Sequence, residues 1–334
     1  MKPIVIVMVG LPASGKSYKA TELSLQYNAE ILSSDAIRKE LFGDERSQEN
    51  NELVFKTLYE RANKFLLDGV SVIIDSTNTT LKSRKRVFDS LNKIPHVTYA
   101  YIMTTPVSVC KDKDEKRDRH VGNEVIEKFN RSFTMPHYFE GFDKIFIDGY
   151  EKTTKFNGSL DKCVISLYDI MKEYNQHNPH HIYTLGEHCK KVSDNVFYEY
   201  LNTKNADDSD EVMKTAAILK VAGYLHDVGK MLTCVFDKEG IAHYYNHDSV
   251  GTYYLLSHLY VLVSLYRQYR SDIDVETIIE ILFYVNYHMR AHNDFKSEKS
   301  IKKYTKLFGE DRFNILMLFG LADRKASGTY KGER

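Results

Sequence analysis

The sequence predicts two domains of different class: an α/β domain built on a parallel sheet flanked by helices, followed by an all-α domain. Three observations carry this prediction. The chain has 334 residues, more than one average domain needs. Short β-branched runs alternate with helical segments as far as residue 150. Beyond that point strand-like runs become scarce and apolar residues recur with a helical period. Hydrophobic residues at 43% and charged residues at 28% describe a folded globular chain and exclude a disordered one. Forty-six basic residues cancel forty-six acidic ones, so a nucleic acid partner would be held by local basic patches rather than by a cationic surface.

The run 3–9 (PIVIVMV) is apolar throughout and rich in β-branched residues, as expected of a strand covered on both faces. Further strands are expected at 29–34, 70–75, 96–103 and 144–148, with a helix over Asn50–Leu67. The polar segment 149–159 holds two glycines and no apolar period, which marks a linker. The expected domains are therefore 1–150 and 161–334, joined by 151–160. In the second, helices are expected over Leu160–Tyr174, Leu185–Leu201, Val212–Leu225, Val250–Tyr266 and Val275–Val285. The acidic stretch 202–211 reads as a loop, with Asp208 or Ser209 available to cap the next helix. Four widely spaced cysteines suit a reducing compartment. No apolar run approaches the length of about eighteen residues that spans a bilayer, and the N-terminal run is too short for a signal peptide. A cytoplasmic protein with no membrane partner is expected.

Gly10-Leu-Pro-Ala-Ser14-Gly15-Lys16-Ser17 fits the phosphate-loop pattern and sits between a hydrophobic strand and an amphipathic helix, the context the pattern requires. Its backbone N–H groups would cradle phosphates, with Gly10, Ser14 and Gly15 shaping the loop, Lys16 reaching the terminal phosphates and Ser17 holding magnesium. ATP or another nucleoside triphosphate with Mg2+ is the expected cofactor. The next strand ends in Ser33 and Ser34, and Asp35 and Arg38 follow one turn apart on a helix. Asp35 could accept the proton of an attacking hydroxyl while Arg38 pairs with an acceptor phosphate; alone, the pair could equally be an N-cap and a solvated side chain. Asp75 ends the third predicted strand, where an acidic residue near magnesium is common, with Thr77 and Asn78 at the same edge. Lys111, Lys113, Lys116, Arg117 and Arg119 cluster before a helix, as in a lid or as on a solvated charged helix. The KSRKR string at 82–86 is a second basic patch that could follow a nucleic acid backbone.

Taken in order, GLPASGKS, SSDAIR, DSTN and KDEKRDRHVG resemble the polynucleotide 5′-kinase family, which includes a bacteriophage RNA-repair kinase. The resemblance implies that Asp35 is the general base toward a 5′-hydroxyl and that Arg38 binds the acceptor's phosphate. It places the lid arginine role on Arg117, with Arg119 beside the donor phosphates. Two positions depart from the family pattern: Lys113 stands where an arginine is usual, and Gly122 where a proline is usual.

The second half holds an ordered set of histidines. His226-Asp227 closes the apolar segment 216–225, with Lys230 close behind. His188, His247, His288 and Asp323 lie on separate predicted helices. Imidazoles and carboxylates converging from several helices would form a site for one or two divalent transition metals. This order resembles the HD superfamily of metal-dependent phosphohydrolases over residues 177–325. The resemblance makes His188, His226, Asp227 and Asp323 the core ligands, lets His247 and His288 complete a second metal position, and turns Lys230 toward the phosphate. Manganese, nickel, cobalt, iron or zinc would each suit such donors. His180, His181, His243, His258 and His292 fit no motif and are expected to be ordinary polar or surface residues.

The two halves together resemble bifunctional bacterial enzymes that join an HD phosphoesterase to a polynucleotide kinase, with the domain order inverted. The function implied is end-healing: phosphorylation of 5′-hydroxyl ends of RNA, or of DNA, with hydrolysis of a 2′,3′-cyclic or terminal phosphate at the other end. No ligase motif is present, so sealing would need a separate ligase. The alternative is a small-molecule kinase or regulatory NTPase carrying an HD nucleotide hydrolase.

Overall fold

The computed structural model describes residues 2–45, 47, 49–118, 120–155, 161–179, 181–205, 207–295 and 297–328, with the side chains of 161–165 left out. The chain divides into two compact units, Met1–Asp148 and Gly149–Arg334.

In the first unit the strands β1 (Ile4–Val9), β2 (Ala29–Ser33), β3 (Ser71–Asp75), β4 (Val97–Ile102) and β5 (Lys144–Ile147) form one sheet in the order β2-β3-β1-β4-β5. Every pairing is parallel, and Ile6 stands opposite Ile73 on one side and Tyr99 on the other. The continuous apolar sequence of β1 follows from this central place, where both faces are covered and Val5 to Val9 are buried. Helices α1 (Lys16–Tyr27), α2 (Ser34–Phe42), α3 (Asn51–Leu67), α4 (Leu81–Leu91), α5 (Val107–Glu115) and α6 (Asn123–Arg131) connect the strands. Since β1 lies between β3 and β4, the chain leaves its carboxyl end at the point where the strand order reverses, the usual position of a ligand crevice in such sheets.

The second unit consists of α7 (Tyr150–Thr154), α8 (Asp161–Glu173), α9 (Leu185–Thr203), α10 (Asp210–Leu225), α11 (Lys230–Thr233), α12 (His247–Ser257), α13 (Leu259–Arg267), α14 (Val275–Asn293), α15 (Glu298–Phe308) and α16 (Glu310–Ala326). Its centre is α9 packed on α10 and α16, with α14 against α10, α12 and α16. At the α9–α10 crossing Gly223 lets the backbones meet: a Cβ there would stand 2.8 Å from the Ser193 Cα. No helix among the described residues is long and apolar enough to cross a membrane.

Four expectations are corrected. The second unit is helical but not all-α, because β6 (Cys234–Phe236) and β7 (Ala242–Tyr244) pair as an antiparallel hairpin. The expected helix over Val250–Tyr266 is two helices, broken at His258, whose φ of −128° and ψ of 51° leave the helical region. Ser209 holds the N-cap position of α10 without a capping bond; its hydroxyl turns to Asp207 at 3.2 Å. The basic string 82–86 is on the surface only in part: Lys82, Lys85 and Arg86 are exposed, whereas Arg84 is turned inward. Arg84 is fully buried, pairs with Glu140 at 2.7 Å and donates to the carbonyls of Asn78 and Thr134. Lys85 pairs with Asp89, and Arg86 lies over the Phe55 ring. Of the expected linker, Tyr150–Thr154 is helical, and residues 156–160 lie outside the described residues.

Candidate active sites

The phosphate loop turns from β1 into α1 through Gly15, whose φ of 95° favours glycine. Main-chain bonds lock the loop: Gly10 N–H donates to the Thr77 carbonyl at 3.0 Å, and Thr105 Oγ1 donates to the Ser14 carbonyl at 2.7 Å. Asn78 Nδ2 donates to the Met8 carbonyl at 2.9 Å, so this edge residue ties β1 to the turn after β3. Ser14 Oγ is buried with no hydrogen-bond partner among the described residues, an orphaned group that a phosphate oxygen would satisfy.

Lys16 is buried and reaches back to the Leu11 carbonyl at 2.7 Å. Burial lowers its ammonium pKa to about 8, and the positive charge of Arg117 adds to the effect against the opposing pull of Asp75. Ser17 Oγ donates to Asp75 Oδ2 at 2.8 Å, bringing together the hydroxyl and carboxylate that suit a magnesium ion.

Ser33, not Asp35, caps α2, its hydroxyl accepting from the Ala36 N–H at 3.4 Å. Asp35 is thus left for another task in the first turn. Arg38 Nη1 lies 2.6 Å from Asp35 Oδ1 and Nη2 donates to Asn51 Oδ1 at 3.0 Å. The buried Nε–H of Arg38 has no acceptor among the described residues.

Arg117 follows α5 in an exposed turn, and Arg119 lies outside the described residues. Lys111 pairs with Glu127, while Lys113 and Lys116 are exposed. Sequence reading missed Asp114, which is buried and accepts from the N–H groups of Val121 at 3.0 Å and Gly122 at 2.9 Å. Its own carbonyl meets His120 Nδ1 at 2.6 Å. This carboxylate closes the arginine-bearing turn upon itself, and nothing in the charge run distinguishes it from its exposed neighbours.

In the second unit His188 comes from α9, His226 from the end of α10, Asp227 from the turn that follows, His247 from α12, His288 from α14 and Asp323 from α16. All six are buried and gathered about Asp227. Asp227 Oδ2 lies 3.4 Å from His188 Nε2 and 3.2 Å from His226 Nε2, while Oδ1 lies 3.0 Å from His247 Nε2 and 3.6 Å from His288 Nε2. Asp323 Oδ1 is 3.1 Å from His188 Nε2. Two donor triads result, His188–His226–Asp227 and Asp227–His247–His288, each with its ligand atoms within 4.8 Å of one another.

The other ring nitrogens explain the orientation. Nδ1 of His226, His247 and His288 meets the carbonyl three residues earlier, of Gly223 at 2.8 Å, Tyr244 at 2.7 Å and Val285 at 2.7 Å. Nδ1 of His188 faces the Ala326 carbonyl at 3.3 Å. A carbonyl can only accept, so Nδ1 carries the proton and each Nε2 presents a lone pair to the centre. The Nε2 atoms of His188 and His226 are buried without a hydrogen-bond partner among the described residues, as befits atoms meant for a cation.

Burial opposes ionisation of Asp227, yet His226, Lys230 and His188 hold its carboxyl well below the usual range. Burial alone would depress the His188 imidazole, but Asp227 and Asp323 outweigh it and push it up to about 9. A cage of ionised carboxylates and converging Nε2 atoms fits one or two divalent cations, whose binding would hold the imidazoles neutral. Lys230 Nζ lies 2.7 Å from Asp227 Oδ2 and donates to Gln176 Oε1 at 2.9 Å, which fixes its ammonium at the rim.

The cage opens into a cavity of about 590 Å3. Three histidines expected to be ordinary polar residues, His181, His243 and His292, line it. His181 meets Lys230 Nζ at 3.3 Å, and His292 Nε2 meets Asp323 Oδ2 at 2.8 Å. The four-residue spacing of His288 and His292 places them on one face of α14, a signal that was available for His292. His243 lines the same cavity against Tyr245, whereas His258 stacks on Tyr254 away from it; His180 lies outside the described residues.

Residues 5–136 match the family model of an AAA domain. Two proteins of Schizosaccharomyces pombe, each named "Probable 6-phosphofructo-2-kinase", are 33% and 30% identical over alignments of 129 residues, with 33% of this chain covered. The chain spans only 19% and 21% of their lengths. Among solved structures, a chain of the Pnkp1/Rnl/Hen1 RNA repair complex is 24% identical, with 38% of this chain and 42% of that chain covered and a TM-score of 0.36. A sugar kinase from Janibacter is 21% identical, with 44% and 85% covered and a TM-score of 0.34. The N-terminal unit is thus a P-loop kinase-like α/β domain, with a parallel sheet flanked by helices and a segment similar to an AAA domain.

Proposed function

We propose that the chain heals broken polynucleotide ends, phosphorylating a 5′-hydroxyl in its first unit and hydrolysing a 2′,3′-cyclic or terminal phosphate in its second. RNA is the favoured strand, DNA the other substrate, and a separate ligase would seal the healed ends. The carrying observation is that one chain holds a phosphate loop beside the Asp35–Arg38 pair and a caged Asp227 shared by two imidazole pairs.

In the first unit ATP, or another triphosphate, with magnesium at Ser17 and Asp75 supplies the transferable phosphoryl group. Asp35 Oδ accepts the proton of the attacking hydroxyl, and Arg38, anchored on Asn51, holds that carboxylate in place and offers its Nε–H to an acceptor phosphate. Lys16 and the lid residue Arg117 meet the charge that develops on the transferred group, and Arg119 is assigned beside them.

In the second unit, divalent cations held by His188, His226, Asp227, His247, His288 and Asp323 would supply Lewis acidity and lower the pKa of water to roughly 7. Lys230 orients the substrate phosphate from the rim, and the neighbouring imidazoles hold Asp227 ionised. The test is incubation with an RNA bearing a 5′-hydroxyl and a 2′,3′-cyclic phosphate, each end followed separately. Both ends should change, and failure of either under metal and ATP supplementation refutes that half.

The similarity to 6-phosphofructo-2-kinases favours a second reading, in which the acceptor is a small phosphorylated sugar and the second unit a nucleotide hydrolase. Transfer of labelled γ-phosphate to a sugar phosphate but not to a 5′-hydroxyl oligonucleotide would select it.

A further inference from the structure

Helix α15 carries Lys299, Lys302, Lys303 and Lys306, spaced i, i+3, i+4 and i+7. At about 100° per residue these four share one stripe of the helix. All four are exposed, and among the described residues none is in an ion pair. On the opposite side Phe308 is buried and the half-buried Tyr304 packs on Phe295 and Phe308, while Ile301 is exposed. The lysine stripe is the charged surface that this helix offers a partner. The chain as a whole is neutral, so the stripe is a local concentration of charge, relieved only by Glu298 at its start and by Glu310 and Asp311 beyond its end.

Its position relates it to the metal cage. A second cavity of about 290 Å3 adjoins the first, sharing Tyr244, Tyr245, His247 and Met289 with it, and runs on to Arg290, Asn293 and Asp294. Arg290 pairs with Asp294, and Tyr304 of α15 donates to Asp294 Oδ2 at 3.2 Å. The second cavity thus runs from beside the cage along the end of α14 as far as Asp294, the residue through which α15 is tied to α14. The exposed Tyr245 ring, stacked on His243 at an interplanar angle of 6°, stands at the junction of the two cavities and offers a face to a base.

We propose that the lysine face of α15 is a docking track for the sugar-phosphate backbone of a single-stranded polynucleotide whose phosphate end enters the cage. This rests on the reading of the second unit as an end-processing hydrolase and goes beyond it: the unit grips several nucleotides upstream of the end it cleaves. Phosphates neutralised by lysine release counterions, so the contribution must be steeply salt-dependent, up to about 2.8 in the slope of log affinity against log salt for four single-strand contacts.

The test compares the full-length protein with the quadruple variants Lys299→Gln, Lys302→Gln, Lys303→Gln, Lys306→Gln and the corresponding four Glu substitutions. Two substrates are used: an RNA of about ten nucleotides ending in a 2′,3′-cyclic phosphate, and the 2′,3′-cyclic mononucleotide. Fluorescence anisotropy with the same RNA measures binding without catalysis. The expected result is a loss of about tenfold or more in kcat/KM on the RNA and a smaller salt slope, with the mononucleotide rate unchanged. Equal rates and slopes for the Gln variant and the parent on RNA overturn the proposal. So does a lysine-dependent affinity for phosphatidylserine vesicles that exceeds the affinity for RNA. If the parent hydrolyses neither substrate, the hydrolase reading falls, and the anisotropy difference between parent and variants still decides whether α15 holds RNA.

Discussion

Asp227 Oδ1 lies 3.0 Å from His247 Nε2 while the other oxygen of the same carboxylate faces His188 and His226. One side chain therefore belongs to both donor triads. Asp227→Asn keeps the shape and removes the charge, and the expected outcome is loss of bound metal at both positions together. Metal analysis of the purified variant should show this, and end hydrolysis should fall by more than the 10–100-fold typical of an outer partner. Kinase activity should be unchanged.

Lys16→Ala and Asp35→Ala should act in the opposite sense. The first should abolish phosphorylation, and the second should reduce it by about 100- to 10,000-fold, the range for a lost general base. Neither should alter phosphate release at the other end. A folded single variant that lost both activities would contradict two separate sites.

His292 touches Asp323, not the centre itself, and holds that carboxylate from behind. His292→Ala should weaken metal affinity by about 10–100-fold, measured by calorimetric titration with manganese, and excess metal should restore most of the rate. A rate that no metal concentration restores would assign His292 to the substrate instead.

The Arg84–Glu140 pair is fully enclosed, so removing one partner leaves a buried charge uncompensated. Glu140→Gln should destabilise the first unit by about 3–5 kcal/mol, read as a lowered first transition in calorimetry. The same variant should leave RNA affinity at the folded temperature unchanged, which separates a structural arginine from a contact to nucleic acid.

These cases show what could be read from sequence. β1, the phosphate loop and Asp75 are local patterns, whereas the six residues that gather about Asp227 were indicated by the resemblance of their order to a known family, not by spacing alone. Arg84 could not be read that way, because its partner lies 56 residues on and its burial depends on where α4 settles. Asp114 was hidden for a related reason: the N–H groups that donate to it, of Val121 and Gly122, are close in sequence, but only the fold of the turn reveals the bond. The break at His258 escaped because apolar residues surround both α12 and α13, leaving no period to interrupt. Strands of three residues, as in β6 and β7, are too short to announce themselves.

The hook from each Nδ1 to the carbonyl three residues back has a consequence for tolerance to change. Main-chain oxygen is common to every amino acid, so the aim of these three rings depends on the backbone at positions 244 and 285 rather than on side-chain chemistry there, and conservative changes such as Tyr244→Phe and Val285→Ile should spare metal loading. Position 223 is the exception, since any larger residue would meet Ser193 and pry apart the two helices that bring His188 and His226 together.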